Sequence, residues 1–214
     1  MAPTAIQAFF DTRQQQISTT VRLYALVDGL LYADRAGVPQ RSQASVALFD
    51  QTPDASLADA GPWLFDYELA GSATRAGLAS LAAGADGVSW LISAYRIDAL
   101  ADELRRRLDA RLPDGRTALL RFYDARIMPD IAAMMEFSQR MQFFVVVFDW
   151  LVERDGRLTG VLFVISSVPL PALSLAQAPI DPLIPLPEFA QPPLSVRPSA
   201  ASSHLPLLCG PSLG

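Results

Sequence analysis

Residues 62–93 read PWLFDYELAGSATRAGLASLAAGADGVSWLIS. The run divides into three. Residues 62–69 are bulky and aromatic, the composition of a strand. Residues 74–83 are Ala-rich and read as a helix, and residues 87–93 (GVSWLIS) return to strand composition. Strand, helix, strand in close succession is the unit from which layered α/β folds are built.

The same alternation extends in both directions. On the N-terminal side, residues 4–16 read as a helix whose Ile6, Phe9 and Phe10 lie near one stripe. Residues 20–27 (TVRLYALV) read as a strand closed by Asp28-Gly29, a turn signal. Residues 45–49 form a short strand and residues 51–61 a loop. On the C-terminal side, Ile97, Leu100, Leu104 and Leu108 recur at helical spacing, predicting a helix over 97–111. Asp102 with Arg106 and Glu103 with Arg107 are acid-first i,i+4 pairs on it. A Leu112-Pro113-Asp114-Gly115 turn, a strand over 116–123 and a helix over 129–141 follow. Residues 143–152 and 158–166 flank Arg154-Asp155-Gly156 as a hairpin. The expected architecture is α/β: a layered mixed sheet, parallel in the middle and antiparallel at an edge. Helices flank it, and it ends in a C-terminal hairpin and a proline-rich tail. The domain is expected over residues 1–168 and the tail over 169–214.

Composition excludes several function classes. All 17 cations are Arg; there is no Lys, and the one His and one Cys are His204 and Cys209, both read as incidental. A Walker phosphate loop, a Schiff-base lysine, a Ser-His-Asp triad and a His-based metal site are therefore all missing their key residue. A net charge of −5 argues against a dedicated nucleic-acid binder, which needs a basic surface to release counterions. The region from Arg96 to Arg126 runs the other way, with eight arginines against six acids. That segment reads as a solvated face or a docking patch for an acidic partner.

Eleven of the 17 prolines lie in residues 169–214. Pro179, Pro182 and Pro185, three apart, would share one edge of a polyproline II helix, so the tail is a spacer or a ligand for a proline groove. Residues 158–180 carry no charge and are long enough to cross a bilayer, but Pro169, Pro171 and Pro179 interrupt them. They read as a buried strand running into the tail. The N-terminus has neither a basic nor a long apolar region and is not read as a secretory signal.

Four short segments occur in a telling order: Tyr24-Ala25-Leu26-Val27-Asp28-Gly29, Gly61-Pro62-Trp63-Leu64, Leu112-Pro113-Asp114-Gly115, and Leu120-Arg121-Phe122-Tyr123-Asp124-Ala125-Arg126. Together they resemble the motifs of the bacterial type VI secretion effector-adaptor family, the Tap/Tec adaptors first filed as a domain of unknown function. The resemblance covers residues 21–152. It implies a cytoplasmic chaperone that holds a toxic secreted effector and helps load it onto the VgrG-type spike protein, with no enzyme activity, cofactor, metal or nucleic acid. The signature usually reads Asp-Pro-Arg; here Ala125 stands in place of the proline.

On a strand, Leu119, Arg121 and Tyr123 would share one face and Leu120, Phe122 and Asp124 the other. Arg121 then sits between apolar neighbours and needs a carboxylate; Asp28 is the candidate partner. Asp124 either caps the next helix or pairs with Arg126. Such pairs ordinarily fix register or cap a turn; the functional alternative is that Arg121, Asp124 and Arg126 line a groove receiving a peptide, with Tyr123 a motif residue beside them. Trp63, beside Gly61-Pro62, is expected nearest the surface among the tryptophans and thus a candidate anchor. Tyr24 is expected in the core with its hydroxyl satisfied. Two other readings stay open: a carboxylate-based hydrolase, and a membrane-associated protein anchored through residues 158–180.

Overall fold

The computed structural model describes residues 4–161 except 113 and 155. The tail, its prolines, most of the 158–180 segment, Pro113 and Asp155 lie outside the described residues.

Eight strands and six helices are described, joined by loops and one 3-10 turn at Ala55–Leu57. The first helix, α1 (Ala5–Gln16), is capped by the Thr4 side chain on the Gln7 amide. Strand β1 (Arg22–Asp28) leads directly into α2 (Gly29–Ala36). Next come β2 (Ser45–Ala47), β3 (Pro62–Asp66), α3 (Ser72–Ala85), β4 (Val88–Ser93) and α4 (Ile97–Arg105). A two-stranded ribbon, β5 (Asp109–Arg111) and β6 (Thr117–Leu119), precedes α5 (Met128–Met134) and α6 (Phe137–Phe144). Finally β7 (Asp149–Arg154) and β8 (Arg157–Gly160) form the expected hairpin.

The main sheet has the order β2-β3-β1-β4-β7-β8. The α/β layering, the flanking helices and the terminal hairpin are as the sequence predicts. The expected parallel middle is not: every pairing in both sheets is antiparallel. The pairings give the reason. Strands β1 and β2, linked through α2, run in the same direction, and so do β3 and β4, linked through α3. Yet β3 lies between the first pair and β1 between the second. The helices return the chain to the same end of the sheet, as crossovers do, but not to an adjacent position.

Strands β1, β3 and β4 are buried along almost their whole length, so both faces of the sheet are covered. Paired residues share a face. One face carries Phe65, Ala25 and Trp90 in a row. Tyr32 of α2 stacks on Phe65 with ring centroids 5.2 Å apart. The other face carries Asp66, Tyr24, Leu91 and Trp150 in a row. There Phe122, Phe143 and Phe144 close around Trp150 at 5.5–6.0 Å.

Four predicted elements differ clearly in extent. The strand predicted over 143–152 begins only at Asp149, because Phe143 and Phe144 complete α6 and the chain then turns through Val147. The helix predicted over 97–111 stops at Arg105, because the residues after it tighten into turns. There Arg105 donates to the carbonyls of Ala47 and Leu48, and Arg107 to those of Gln142 and Phe143. The chain beyond becomes β5. The helix predicted over 129–141 is two helices, since Glu136 and Gln139 form a capping box that starts α6 afresh. The strand predicted over 116–123 ends at Leu119.

Candidate functional site

The last residue of β1 begins the site. Asp28 keeps an extended backbone and caps α2, its Oδ1 accepting from the amides of Leu30 and Leu31 at 2.9 and 3.3 Å. Asp28-Gly29, expected to close the strand with a turn, instead starts a helix. Gly29 is required by close approach. Its amide donates to the Gly61 carbonyl at 2.8 Å, and a Cβ would lie 2.6 Å from the carbonyl oxygens of Asp59 and Gly61. The first two sequence motifs thus meet backbone to backbone.

The fourth motif docks on the same point. After β6 the chain folds through tight turns, with the Asp124 amide on the Arg121 carbonyl at 3.1 Å and the Ile127 and Met128 amides both on the Asp124 carbonyl at 3.1 Å. Face alternation is therefore lost beyond Leu119, and Phe122, Tyr123, Asp124 and Ala125 are buried in succession. Arg121 Nη2 donates to Asp28 Oδ2 at 3.1 Å, as expected, and lies 3.6 Å from Asp124 Oδ2. Asp124 pairs with Arg126 rather than capping a helix by its side chain. Its Oδ1 accepts from the Arg126 amide and Nε at 3.1 and 2.8 Å, and its Oδ2 from Nη2 at 2.8 Å.

Two buried carboxylates thus face two half-exposed guanidiniums, those of Arg121 and Arg126. Arg121 is not locked among apolar neighbours, so its desolvation cost is smaller than strand burial implied. The bidentate Arg126 holds the Asp124 carboxyl below the usual carboxylate range, against the opposing effect of burial. Burial pushes the Tyr123 phenol up, with Arg121 pulling it back; the guanidinium lies 5.8 Å from the ring centroid. Asp28, Arg121, Tyr123, Asp124 and Arg126 form one cluster over the α2 N-terminus. Among the described residues there is no group of three or more His, Cys, Asp or Glu able to hold a metal ion.

Two predicted site residues lie elsewhere. Tyr24 is in the core, as expected, and its hydroxyl donates to the Tyr95 carbonyl at 2.7 Å. Trp63 is a correction: it is 0% exposed. Its indole Nε1 donates to the Asp59 carbonyl at 3.3 Å and its ring is covered by Arg41 at 5.2 Å. A residue in mid-sheet between β1 and β2 is covered on both sides whatever its neighbours in sequence.

The sequence reading missed two features. Near the start of β1, Arg22 pairs with Asp66 at 3.2 Å beside a polar cavity of about 560 Å³ that Arg96 and Asp98 also line. On α5 and α6, Met134, Phe137, Met141 and Val145 are all exposed, Met134 by 77% and Phe137 by 71%. Phe137, Met141 and Val145, four apart, lie along one side of α6 and its C-cap, and Met134 stands at the end of α5 across the break at Glu136. A signal was present: four of the five methionines fall within residues 128–141. Between β5 and the α5–α6 pair runs a groove of about 720 Å³, lined by Met134 but not by Phe137, Met141 or Val145.

A family model described as Domain of unknown function (DUF4123) matches residues 23–142, the stretch holding Asp28, Arg121, Asp124 and Arg126. The chain belongs to the DUF4123 family. That family is linked in general to effector adaptors of type VI secretion. No curated protein and no solved structure matches the chain. The DUF4123 region contains every element from β1 to α5 and most of α6. Among the described residues no helix is long and apolar enough to cross a membrane.

Proposed function

We propose that this DUF4123 protein is a cytoplasmic adaptor chaperone that binds a secreted type VI effector and helps load it onto the spike protein. The family match over residues 23–142 carries the reading. Two physical features support a gripping role over a chemical one. The Asp124 carboxylate is saturated by Arg126 and held ionised, so it is a poor proton donor or acceptor at neutral pH. Asp28 is likewise occupied by two amides and Arg121. Meanwhile Met134, Phe137, Met141 and Val145 expose apolar surface that a polypeptide partner would cover. Burial at roughly 25 cal/mol per Å², offset by the cost of association, suits a complex that must later release its cargo.

Co-purification tests this. The full chain, co-expressed with candidate type VI effector and spike proteins, is expected to retain an effector through size-exclusion chromatography. Recovery of neither protein overturns the proposal.

A further inference from the structure

Among the described residues neither outer edge of the β5–β6 ribbon is bonded, and the β5 edge is the one that borders a groove. The ladder is set by the Leu120 amide on the Leu108 carbonyl at 2.6 Å and the Leu112 amide on the Arg116 carbonyl at 2.8 Å. With the register Asp109↔Leu119, Ala110↔Ala118 and Arg111↔Thr117, residues 108, 110 and 112 face β6. The N–H and C=O groups of Asp109 and Arg111 therefore point away from it. Among the described residues no backbone or side-chain group bonds to them. A ribbon of two three-residue strands with a bare edge is also marginal by itself.

That edge borders the 720 Å³ groove. Asp109, Ala110 and Arg111 form one wall and the α5–α6 pair the other; no residue of β6 lines it. Leu120, Ile131 and Phe143 give the groove apolar lining. Arg106, Arg107 and Arg111 reach it too, while Glu103, the acid beside them, is already bonded to Arg106 and Arg107. Asp109 leaves the cations in excess. A free strand edge facing a helix across an apolar trough is the arrangement that captures extended peptides by strand addition.

We propose that the groove between β5 and the α5–α6 pair binds an extended segment of the partner protein as a third strand on β5. Its backbone bonds to Asp109 and Arg111, alternate apolar side chains enter the trough, and an acidic residue meets the arginines. This rests on the adaptor reading and adds to the exposed apolar side of α6 a second, separate contact surface.

Proline scanning at the two edges tests it with the full chain and the effector that co-purifies with it. Arg111→Pro removes an outward N–H while sparing the β5–β6 ladder; Thr117→Pro does the same on the far edge. Arg111→Gln separates the charge from the N–H. Circular dichroism first establishes that each variant folds. The effector's dissociation constant is expected to rise at least tenfold with Arg111→Pro, several-fold with Arg111→Gln and less than twofold with Thr117→Pro. In the wild-type complex the Asp109 and Arg111 amides become protected from hydrogen exchange. If the effector binds wild-type and Arg111→Pro protein equally and leaves those amides unprotected, the groove is wrong and the adaptor reading stands. If no effector binds at all, the adaptor reading fails. The groove is then judged by titrating the synthetic peptide Asp-Val-Thr-Val-Asp-Val-Thr: protection of the two amides supports it, and no protection at millimolar peptide overturns it.

Discussion

Arg121 reaches back across 93 residues of chain to donate to Asp28 Oδ2 at 3.1 Å. The other oxygen of the same carboxylate caps α2. One side chain thus joins the end of β1, the start of α2 and the turn that follows the β5–β6 ribbon. The groove wall of β5 and the helices opposite it connect through that turn, so the clasp positions the surface assigned to partner binding.

Asp28→Ala removes the cap and leaves Arg121 with only the longer contact to Asp124, at 3.6 Å. Loss of the cap costs about 1 kcal/mol, and the ion pair adds a further ~1 kcal/mol or less because Arg121 is half exposed. Arg121→Ala removes only the second part. In urea denaturation Asp28→Ala is expected to lose more stability than Arg121→Ala. The double variant is expected to lose less than their sum, since the two share one contact.

Gly29→Ala places a methyl group against two carbonyl oxygens that belong to the backbone and cannot swing aside. Overpacking of this kind costs roughly 1–3 kcal/mol. Gly71→Ala is the comparison: its Cβ would meet nothing within 4 Å. Thermal unfolding is expected to show a clearly lowered midpoint for Gly29→Ala and a smaller loss for Gly71→Ala, which gives up only the N-cap preference of α3 for glycine over alanine.

These contacts mark how far the sequence could be read. The Asp28–Arg121 and Asp124–Arg126 pairs were legible because a buried or half-buried ion needs a counter-charge and few candidates stood at the right strand ends. The element types around β1, β3, α3 and β4 followed from period and composition. Strand direction did not, because a helical crossover fixes which end of the sheet the chain returns to and not which neighbour it finds there. The burial of Trp63 depends on its place between β1 and β2, which no local pattern encodes. The break at Glu136 was locally written in its capping box with Gln139, but the apolar run around it masked the signal.

Acid should weaken the Asp124–Arg126 pair. Arg126 depresses the Asp124 carboxyl in the folded chain below its ordinary value of 3.8. A depressed carboxylate contributes stability that is complete above its unfolded value and is lost as pH falls through its folded value. Stability is therefore expected to hold near neutrality and to drop below about pH 4. Asp124→Asn should lower stability at pH 7 and shrink the further loss between pH 5 and pH 2. Asp50, depressed by Arg41, and Glu103, depressed by Arg107, keep that limb from vanishing. Urea midpoints measured across this range decide it; an acid limb unchanged in Asp124→Asn would show that Asp124 does not carry it.

Phe137 separates binding from folding. Its side chain is 71% exposed on α6 and lies outside the core, so removing it should change stability by no more than about 0.5 kcal/mol. In the free protein its ring stands in water, along the same stripe as Met141 and Val145. A partner that covers the stripe gains from burying that ring, and Phe137→Ser forfeits the gain. The expected result is an unchanged thermal midpoint with effector retention reduced several-fold on size-exclusion chromatography. Retention equal to wild type would place the partner elsewhere on the molecule. A lowered midpoint would mean that Phe137 packs within the fold and that the stripe is not free to bind.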